Sequence, residues 1–226
     1  MNGVPQLLND VSLYGPEYFI EHYAHDPKRE EMYAQEYERI QKRCAGGSVM
    51  DIGCGTGAFL SLFEGWTKFG YEPSGFASEQ SRRNGVQIVN GFGDIQSQTM
   101  DLVIFRGTLQ HINTPLAELA EATRILRRGG MLAILATPDT DSLVYWLWKD
   151  LPALEASRNW ILFGSHYLRN ILARLDYEQI EVVHPYWGTP YARPAHDLSK
   201  FVASLFAGYR KFAFPGNMME IYAVRK

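Results

Sequence analysis

Between residues 30 and 138 the chain alternates between two hydrophobic rhythms. Residues 30–43 place Tyr33, Tyr37 and Ile40 on one helical face, with Glu38 four residues before Lys42, a favourable helical pair. Gly46-Gly47 stops that helix. Short apolar runs then recur at residues 48–52, 68–71, 86–89, 101–105 and 131–136. The last two are apolar almost throughout, which is the pattern of strands buried on both faces. Helical segments are expected between them: residues 58–63, residues 75–84, and a third opened by Thr114-Pro115. That third helix is expected to reach Arg128 and to close at Gly129-Gly130. Repeated strand–helix units predict an α/β fold, a doubly wound and mostly parallel sheet with helices on both faces.

After Pro138 the rhythm breaks. Residues 139–163 are aromatic-rich, with Tyr145, Trp146, Trp148 and Trp160. A helix at 166–175 and a strand at 177–184 follow. A second irregular stretch, 185–216, holds Tyr186, Trp187 and Tyr191 and a helix near 198–209, before a closing strand at 218–224 completes a seven-stranded sheet. Both interruptions are long for connections in a compact domain. The expected organisation is an N-terminal segment and helix over 1–45, then one domain over 46–226 with cap insertions near 139–163 and 185–216. Trp146, Trp148, Trp160, Trp187 and Tyr191 could form an aromatic wall for a sugar or flat ring, and Arg158 and Arg193 could meet a phosphate or carboxylate.

Composition narrows the class. A chain of 226 residues with 46% hydrophobic and 21% charged residues is an ordinary globular protein. A net charge of −3 argues against a general nucleic-acid binder, where a basic footprint is expected. Two cysteines, Cys44 and Cys54, make no disulfide framework and fit a reducing cytoplasm. No apolar run approaches the ~18 residues of a membrane span, no signal pattern opens the chain, and no metal is called for. Oligomeric state is not readable.

The candidate chemistry sits in Val49-Met-Asp51-Ile-Gly53-Cys54-Gly55-Thr-Gly57-Ala58-Phe-Leu60. The order reads as buried strand, tight turn and helix start. Glycines there remove Cβ atoms where a ligand must approach the backbone, and a helix N-terminus offers unpaired N–H groups. Glu72 follows Asp51 by about twenty residues, at the tip of the second strand, and Asp94 follows the third strand. All would lie on the carboxyl edge of the sheet, where such folds bind ligands. An acid at the second strand can accept two hydrogen bonds from a ribose diol, and one after the third can reach an adenine amino group. Spacing alone leaves a nicotinamide dinucleotide open, because Gly53-x-Gly55-x-x-Ala58 also fits the dinucleotide fingerprint.

The set of motifs resembles the class I S-adenosylmethionine-dependent methyltransferases. Asp51-Ile-Gly-Cys-Gly-Thr-Gly, Gly-Tyr-Glu72-Pro, Asp101-Leu-Val-Ile-Phe-Arg-Gly-Thr-Leu-Gln-His111-Ile and Ile125-Leu-Arg-Arg-Gly-Gly-Met-Leu occur in that family's order. Weaker likeness continues through Phe214-Pro-Gly-Asn-Met-Met-Glu and is similar to the small-molecule branch of sugar, natural-product and quinone-precursor enzymes. The resemblance implies S-adenosyl-L-methionine as cofactor. Gly53, Gly55 and Gly57 would admit its amino-acid end, and Asp51 would orient that turn or the amino group. Glu72 would hold the ribose, Asp94 and Ile95 would meet adenine, and Arg106 would lie beside the methionine portion. His111, just past the fourth strand, is the candidate base for a hydroxyl acceptor. The family often has Leu-Glu-His where this chain has Leu109-Gln110-His111, so an acid at that position is lost. His166 is a rival base. Cys54 reads as a packing residue, and Tyr14, Tyr18 and Tyr23 belong to a segment that in this branch closes over the cofactor. The expected function is O-methylation of a small molecule, a saccharide or secondary-metabolite intermediate. A nicotinamide-dependent oxidoreductase and a noncatalytic cofactor-binding module are the alternatives.

Overall fold

The computed structural model describes residues 15–23, 26–154 and 159–226. Helix α1 (Pro16–Tyr23) and helix α2 (Pro27–Gln41) precede the sheet. The start of α2 is written in Asp26-Pro27: the aspartate side chain accepts the Lys28 N–H at 3.1 Å, and proline fills the first turn, where no N–H is needed. Strands β1 (Ser48–Ile52), β2 (Thr67–Tyr71), β3 (Gln87–Ile88) and β4 (Met100–Arg106) follow, with α3 (Gly75–Arg83) between β2 and β3. Then come α4 (Pro115–Ile125), β5 (Leu126–Pro138), α5 (Leu143–Trp148), α6 (Ser165–Arg174), β6 (Tyr177–Val183), α7 (Pro194–Ala207) and β7 (Met218–Arg225).

The seven strands form one sheet in the order β3-β2-β1-β4-β5-β7-β6. Every pair from β3 to β5 is parallel, while β7 runs antiparallel between β5 and β6. Chain order reverses between β1 and β4, the switch point at which such sheets bind ligands. The mostly parallel, doubly wound sheet expected from the sequence is therefore present. Alternate strand residues feed two cores: Met50, Ile52, Val103 and Phe105 pack with α4 and α6, and Val49, Leu102 and Ile104 pack with α2.

Two elements depart from expectation. The glycine-rich turn does not open an α-helix, and only a 3₁₀ turn at Leu60–Leu62 forms. Residues 53–66 carry the whole crossover from β1 to β2. Phe59, Phe63 and Trp66 fill that layer instead, edge to face at 5.4 Å between successive rings, and Tyr33 and Tyr37 of α2 cover them. The expected helix to Arg128 stops at Ile125, because Leu126 already pairs with Met100 in the sheet. Residues 127–129 bulge outward, held by Arg127 to Asp101 at 2.6 Å, before the ladder resumes at Met131.

The two aromatic interruptions meet. Val144, Leu151 and Phe212 form a third, separate core with Tyr145, Trp148, Phe201, Tyr209 and Phe214 around it. Trp148 stacks on Tyr209 at 5.3 Å and Phe201 on Phe214 at 4.7 Å. Segments about sixty residues apart thus build one small lobe beside the ends of β5 and β7.

Candidate functional site

Asp51 lies near the end of β1, 2% exposed, and its Oδ1 has no hydrogen-bond partner. Burial pushes its carboxyl up to about 7, with the nearby Arg106 guanidinium opposing and the Glu72 and Glu36 carboxylates reinforcing. It faces a narrow cleft with Tyr33, Gly53, Cys54, Phe59 and Arg106. Gly53 and Gly57 have positive φ (77° and 74°), and a Cβ there would come within 2.7 Å of the Thr108 side chain and 2.6 Å of Ser81 Oγ, respectively. Their freedom therefore lets the turn pack against its own protein as well as bend. Cys54 is buried, its Sγ 3.6 Å from Ser81 Oγ and its thiol pushed well up by burial, which suits a packing residue.

Glu72 follows β2 directly. Its Oε2 accepts the Gly55 N–H at 3.0 Å and its Oε1 the Ser74 N–H at 2.8 Å. Burial raises its pKa, and the two backbone donors counter that. The carboxylate is thus fixed from behind, with lone pairs left on both oxygens. Asp94 is exposed, and its Oδ2 accepts from the Asn90 backbone N–H (2.8 Å) and side chain (3.1 Å), closing its own turn. Ile95 is a core residue beside Phe92 and Met100, its carbonyl held by Arg124 at 3.1 Å.

Arg106 ends β4. Its guanidinium grips Glu36 of α2 through Nε to Oε2 at 2.6 Å and Nη2 to Oε1 at 3.3 Å, and lies 4.3 Å from the centre of the Tyr33 ring. Beyond it opens a cavity of about 420 Å³. Met32 and Glu36 of α2 form one wall, with Arg106 and Ala136 of the sheet edge. Tyr186, Thr189 and Tyr191 form another, and Phe214, Asn217, Met218 and Glu220 close it. Arg106 lines both the cleft at Asp51 and this cavity. Glu220, 1% exposed, is held bidentately by Arg39 at 2.7 and 2.6 Å and by the Tyr222 hydroxyl at 2.7 Å.

Strand register sorts the histidines. Val183 pairs with Glu220 across β6 and β7, so Val183 and Pro185 share the cavity face and His184 points away. Its Nε2 is 2.7 Å from the buried Asp139, which also accepts the N–H groups of Asp141 and Ser165. That pair joins β5, β6 and α6. His111 sits half-buried on a 3₁₀ turn, Leu109–His111, beyond Arg106, its N–H bonded to the Thr108 carbonyl. It is not among the residues lining the cavity. His166 is exposed at the start of α6, its N–H donated to Asp141 at 2.9 Å.

Of the five residues expected as an aromatic wall, Tyr191 lines the cavity, Trp148 belongs to the lobe core, and Trp146, Trp160 and Trp187 are exposed. Arg193 is exposed at the start of α7. Tyr14 and Arg158 lie outside the described residues, as does the side chain of Tyr23. Tyr18 packs edge-to-face on Phe19. Sequence reasoning missed Glu36, Arg39 and Glu220. Each acid was detectable as a charge within an apolar pattern: Glu36 between Tyr33 and Ile40 on one helical face, Glu220 inside Met-Met-Glu-Ile-Tyr-Ala-Val.

The fold and this edge are those of a Rossmann-like methyltransferase domain. The chain belongs to that family: residues 23–182 match the family model described as "Methyltransferase domain". Over 126 residues it is 35% identical to an uncharacterized 37.1 kDa protein in a transposon of Streptomyces fradiae and 25% identical to an uncharacterized protein of Methanocaldococcus jannaschii. Those matches take in 50% and 54% of this chain but only 35% and 60% of the two relatives. Among solved structures it resembles a possible histamine N-methyltransferase from Thermotoga maritima, with a TM-score of 0.65 and 21% identity over 96% of each chain. A SAM-dependent methyltransferase from Archaeoglobus fulgidus aligns with a TM-score of 0.64 and 15% identity, over 92% of this chain and 99% of that one. A Haemonchus contortus phosphoethanolamine N-methyltransferase, solved with S-adenosylhomocysteine, gives 0.59 and 18%, over 85% and 52%.

Proposed function

We propose that this chain binds S-adenosylmethionine along the β1, β2 and β4 ends and methylates a hydroxyl on a small apolar acceptor held in the 420 Å³ cavity. The observation that carries this is the position of Arg106, which forms a wall of both the cleft at Asp51 and the cavity. Donor and acceptor spaces then meet at one side chain, as an in-line displacement at carbon requires. The partnerless Oδ1 of Asp51 fits an ammonium, and Glu72, braced by two N–H groups, fits a ribose diol. Gly53, Gly55 and Gly57 shape the turn for the amino-acid end, Arg106 flanks the methionine portion, and Asp94 and Ile95 are assigned to the adenine side.

The cofactor supplies an electrophilic methyl group on a sulfonium. The protein's part is placement and charge: orientation of two reactants can lower a barrier by roughly 7–11 kcal/mol. Glu36 fixes Arg106, Tyr33 backs it, and the lobe built from residues near 139–163 and 185–216 caps the acceptor. Mostly apolar walls (Met32, Pro185, Tyr186, Phe214, Met218) favour a secondary-metabolite ring over a saccharide. His111, on the 3₁₀ turn past Arg106 and outside the cavity lining, is the base only for an acceptor whose hydroxyl projects past Arg106 toward it.

The test is calorimetric titration with S-adenosylmethionine and with NADH, followed by turnover on matched panels of ring-bearing alcohols and saccharides. Binding of the first with S-adenosylhomocysteine release on ring alcohols is expected. Binding of NADH instead would sink the reading. Cofactor binding with no turnover on any acceptor would make the chain a noncatalytic module. Unchanged turnover in His111→Ala would remove the histidine as base.

A further inference from the structure

We propose that the acceptor carries a protonated amine besides its hydroxyl, and that Glu36, Glu220 and Asn217 hold it in the cavity. This rests on the methyl-transfer reading for the cavity's role as acceptor site. Two carboxylates, Glu36 and Glu220, and one guanidinium, that of Arg106, line the cavity. Arg39, which holds Glu220, is not part of the lining. The two acids come from different elements, α2 and β7, and each is 1% exposed. They are near enough to repel: burial raises the Glu36 pKa, Arg106 opposes that, and Glu220 adds to the rise. In each acid Oε1 accepts one bond only, from Arg106 at 3.3 Å and from Arg39 at 2.6 Å, and so keeps a lone pair. An ammonium among such carboxylates relieves their repulsion and donates to the open lone pairs.

Asn217 points to the same chemistry without a charge of its own. It is 3% exposed and lines the same cavity. Its Nδ2 donates to the Phe212 carbonyl at 3.1 Å. A carbonyl can only accept, so that bond fixes which way the amide faces, and Oδ1 is left buried without a partner. A buried acceptor without a donor is costly, and a ligand N–H would satisfy it. Donors on the walls are committed elsewhere. Arg106 turns Nε and Nη2 to Glu36, the Thr189 hydroxyl donates to the Tyr186 carbonyl at 2.8 Å, and the Tyr186 hydroxyl donates to Asp197 at 2.9 Å. The walls thus ask for a donor, and the rings of Tyr186, Tyr191 and Phe214 suit a cation. A carboxylate on the acceptor would instead meet two like charges.

The test is calorimetric titration of the full chain with three phenols that share a ring hydroxyl and differ at the end of the side chain: tyramine, tyrosol and para-hydroxyphenylacetate. Tyramine is expected to bind at least about tenfold more tightly than tyrosol, and the carboxylate most weakly. Glu220→Gln should bring tyramine and tyrosol within about threefold of each other, because the charge that selects the amine is gone. Asn217→Ala should weaken tyramine by roughly fivefold or more. It removes no charge, so it carries the test where Glu220→Gln fails to fold. Tyrosol binding as tightly as tyramine, the carboxylate binding more tightly than either, or tyramine affinity unchanged in a folded variant overturns the proposal. So does the absence of binding by all three. S-adenosylmethionine is titrated separately: an amine preference lost in the variants, on a chain that binds no S-adenosylmethionine, upholds the amine site and sinks the methyl-transfer reading.

Discussion

The two ends of the sheet's carboxyl edge are built by different means. At β1 and β2 the candidate cofactor groups are neighbours in sequence, and backbone N–H groups hold them: Glu72 is fixed by Gly55 and Ser74. At β5 and β7 the cavity is walled by α2, the sheet and two segments distant in sequence, and side chains hold it: Glu36 by Arg106, Glu220 by Arg39. Backbone anchoring tolerates many side chains nearby, whereas a buried ion pair ties two particular residues together. The difference predicts that the cavity end is the more fragile of the two.

The largest effect should come from breaking one of those pairs. Arg106→Met leaves the Glu36 carboxylate buried without its cation, and removing one partner of a buried pair costs about 3–5 kcal/mol. Urea unfolding measures it. Arg39→Met should cost less, because the Tyr222 hydroxyl still donates to Glu220. Arg106→Met with Glu36→Leu should recover most of the loss, since it leaves no unpaired charge. A loss in Arg106→Met no larger than that in Glu72→Ala would break the comparison.

Next in size is the lobe. Trp148 stacks on Tyr209 and meets Phe201 edge-on, so Trp148→Ala should cost about 3 kcal/mol. Trp146, two residues earlier and 68% exposed, should cost no more than about 0.5 kcal/mol. Thermal unfolding of the two variants decides it. The pair also shows where sequence reading stops. Alternation of apolar residues gave the strands and their order of appearance, and the motif spacing placed Asp51, Glu72 and Arg106 on one edge. Nothing local distinguishes Trp146 from Trp148, because the partners that bury one of them, Phe201, Tyr209 and Phe212, lie more than fifty residues away. The helix expected after the glycine turn failed for a similar reason: its place is taken by α2, which the local pattern could not show packing there.

At the cofactor end, Glu72→Ala should weaken S-adenosylmethionine binding by about 2–3 kcal/mol, roughly 30- to 150-fold, by removing a charge-assisted acceptor. Global stability should change less than in Arg106→Met, because Gly55 and Ser74 can turn their freed N–H groups to water in a partly open groove. Calorimetry at fixed ionic strength reads the first and urea unfolding the second. A stability loss matching Arg106→Met would mean that the acid is structural and that its ribose role was misread.

Per pH unit, the smallest effect separates folding from binding at one carboxyl. Asp51 titrates near 7 in the native state, raised by burial from an ordinary value of 3.8. The native state therefore holds a proton that the unfolded chain has already lost in between. Stability should be full at the acid end of this window and fall as pH rises toward 7, by at most about 1.4 kcal/mol per pH unit, then level off. Glu118, also raised to about 7 by burial, adds a fall of the same sign. Asp51→Asn should remove only the first share, leaving a shallower slope in unfolding experiments across that window. Cofactor affinity should move oppositely, because an ammonium is met better by a carboxylate than by a carboxylic acid: binding should tighten as pH rises through 7 and lose that rise in Asp51→Asn. A wild-type affinity that is flat across the range would detach Asp51 from the cofactor's amino group and leave it a buried acid of the turn.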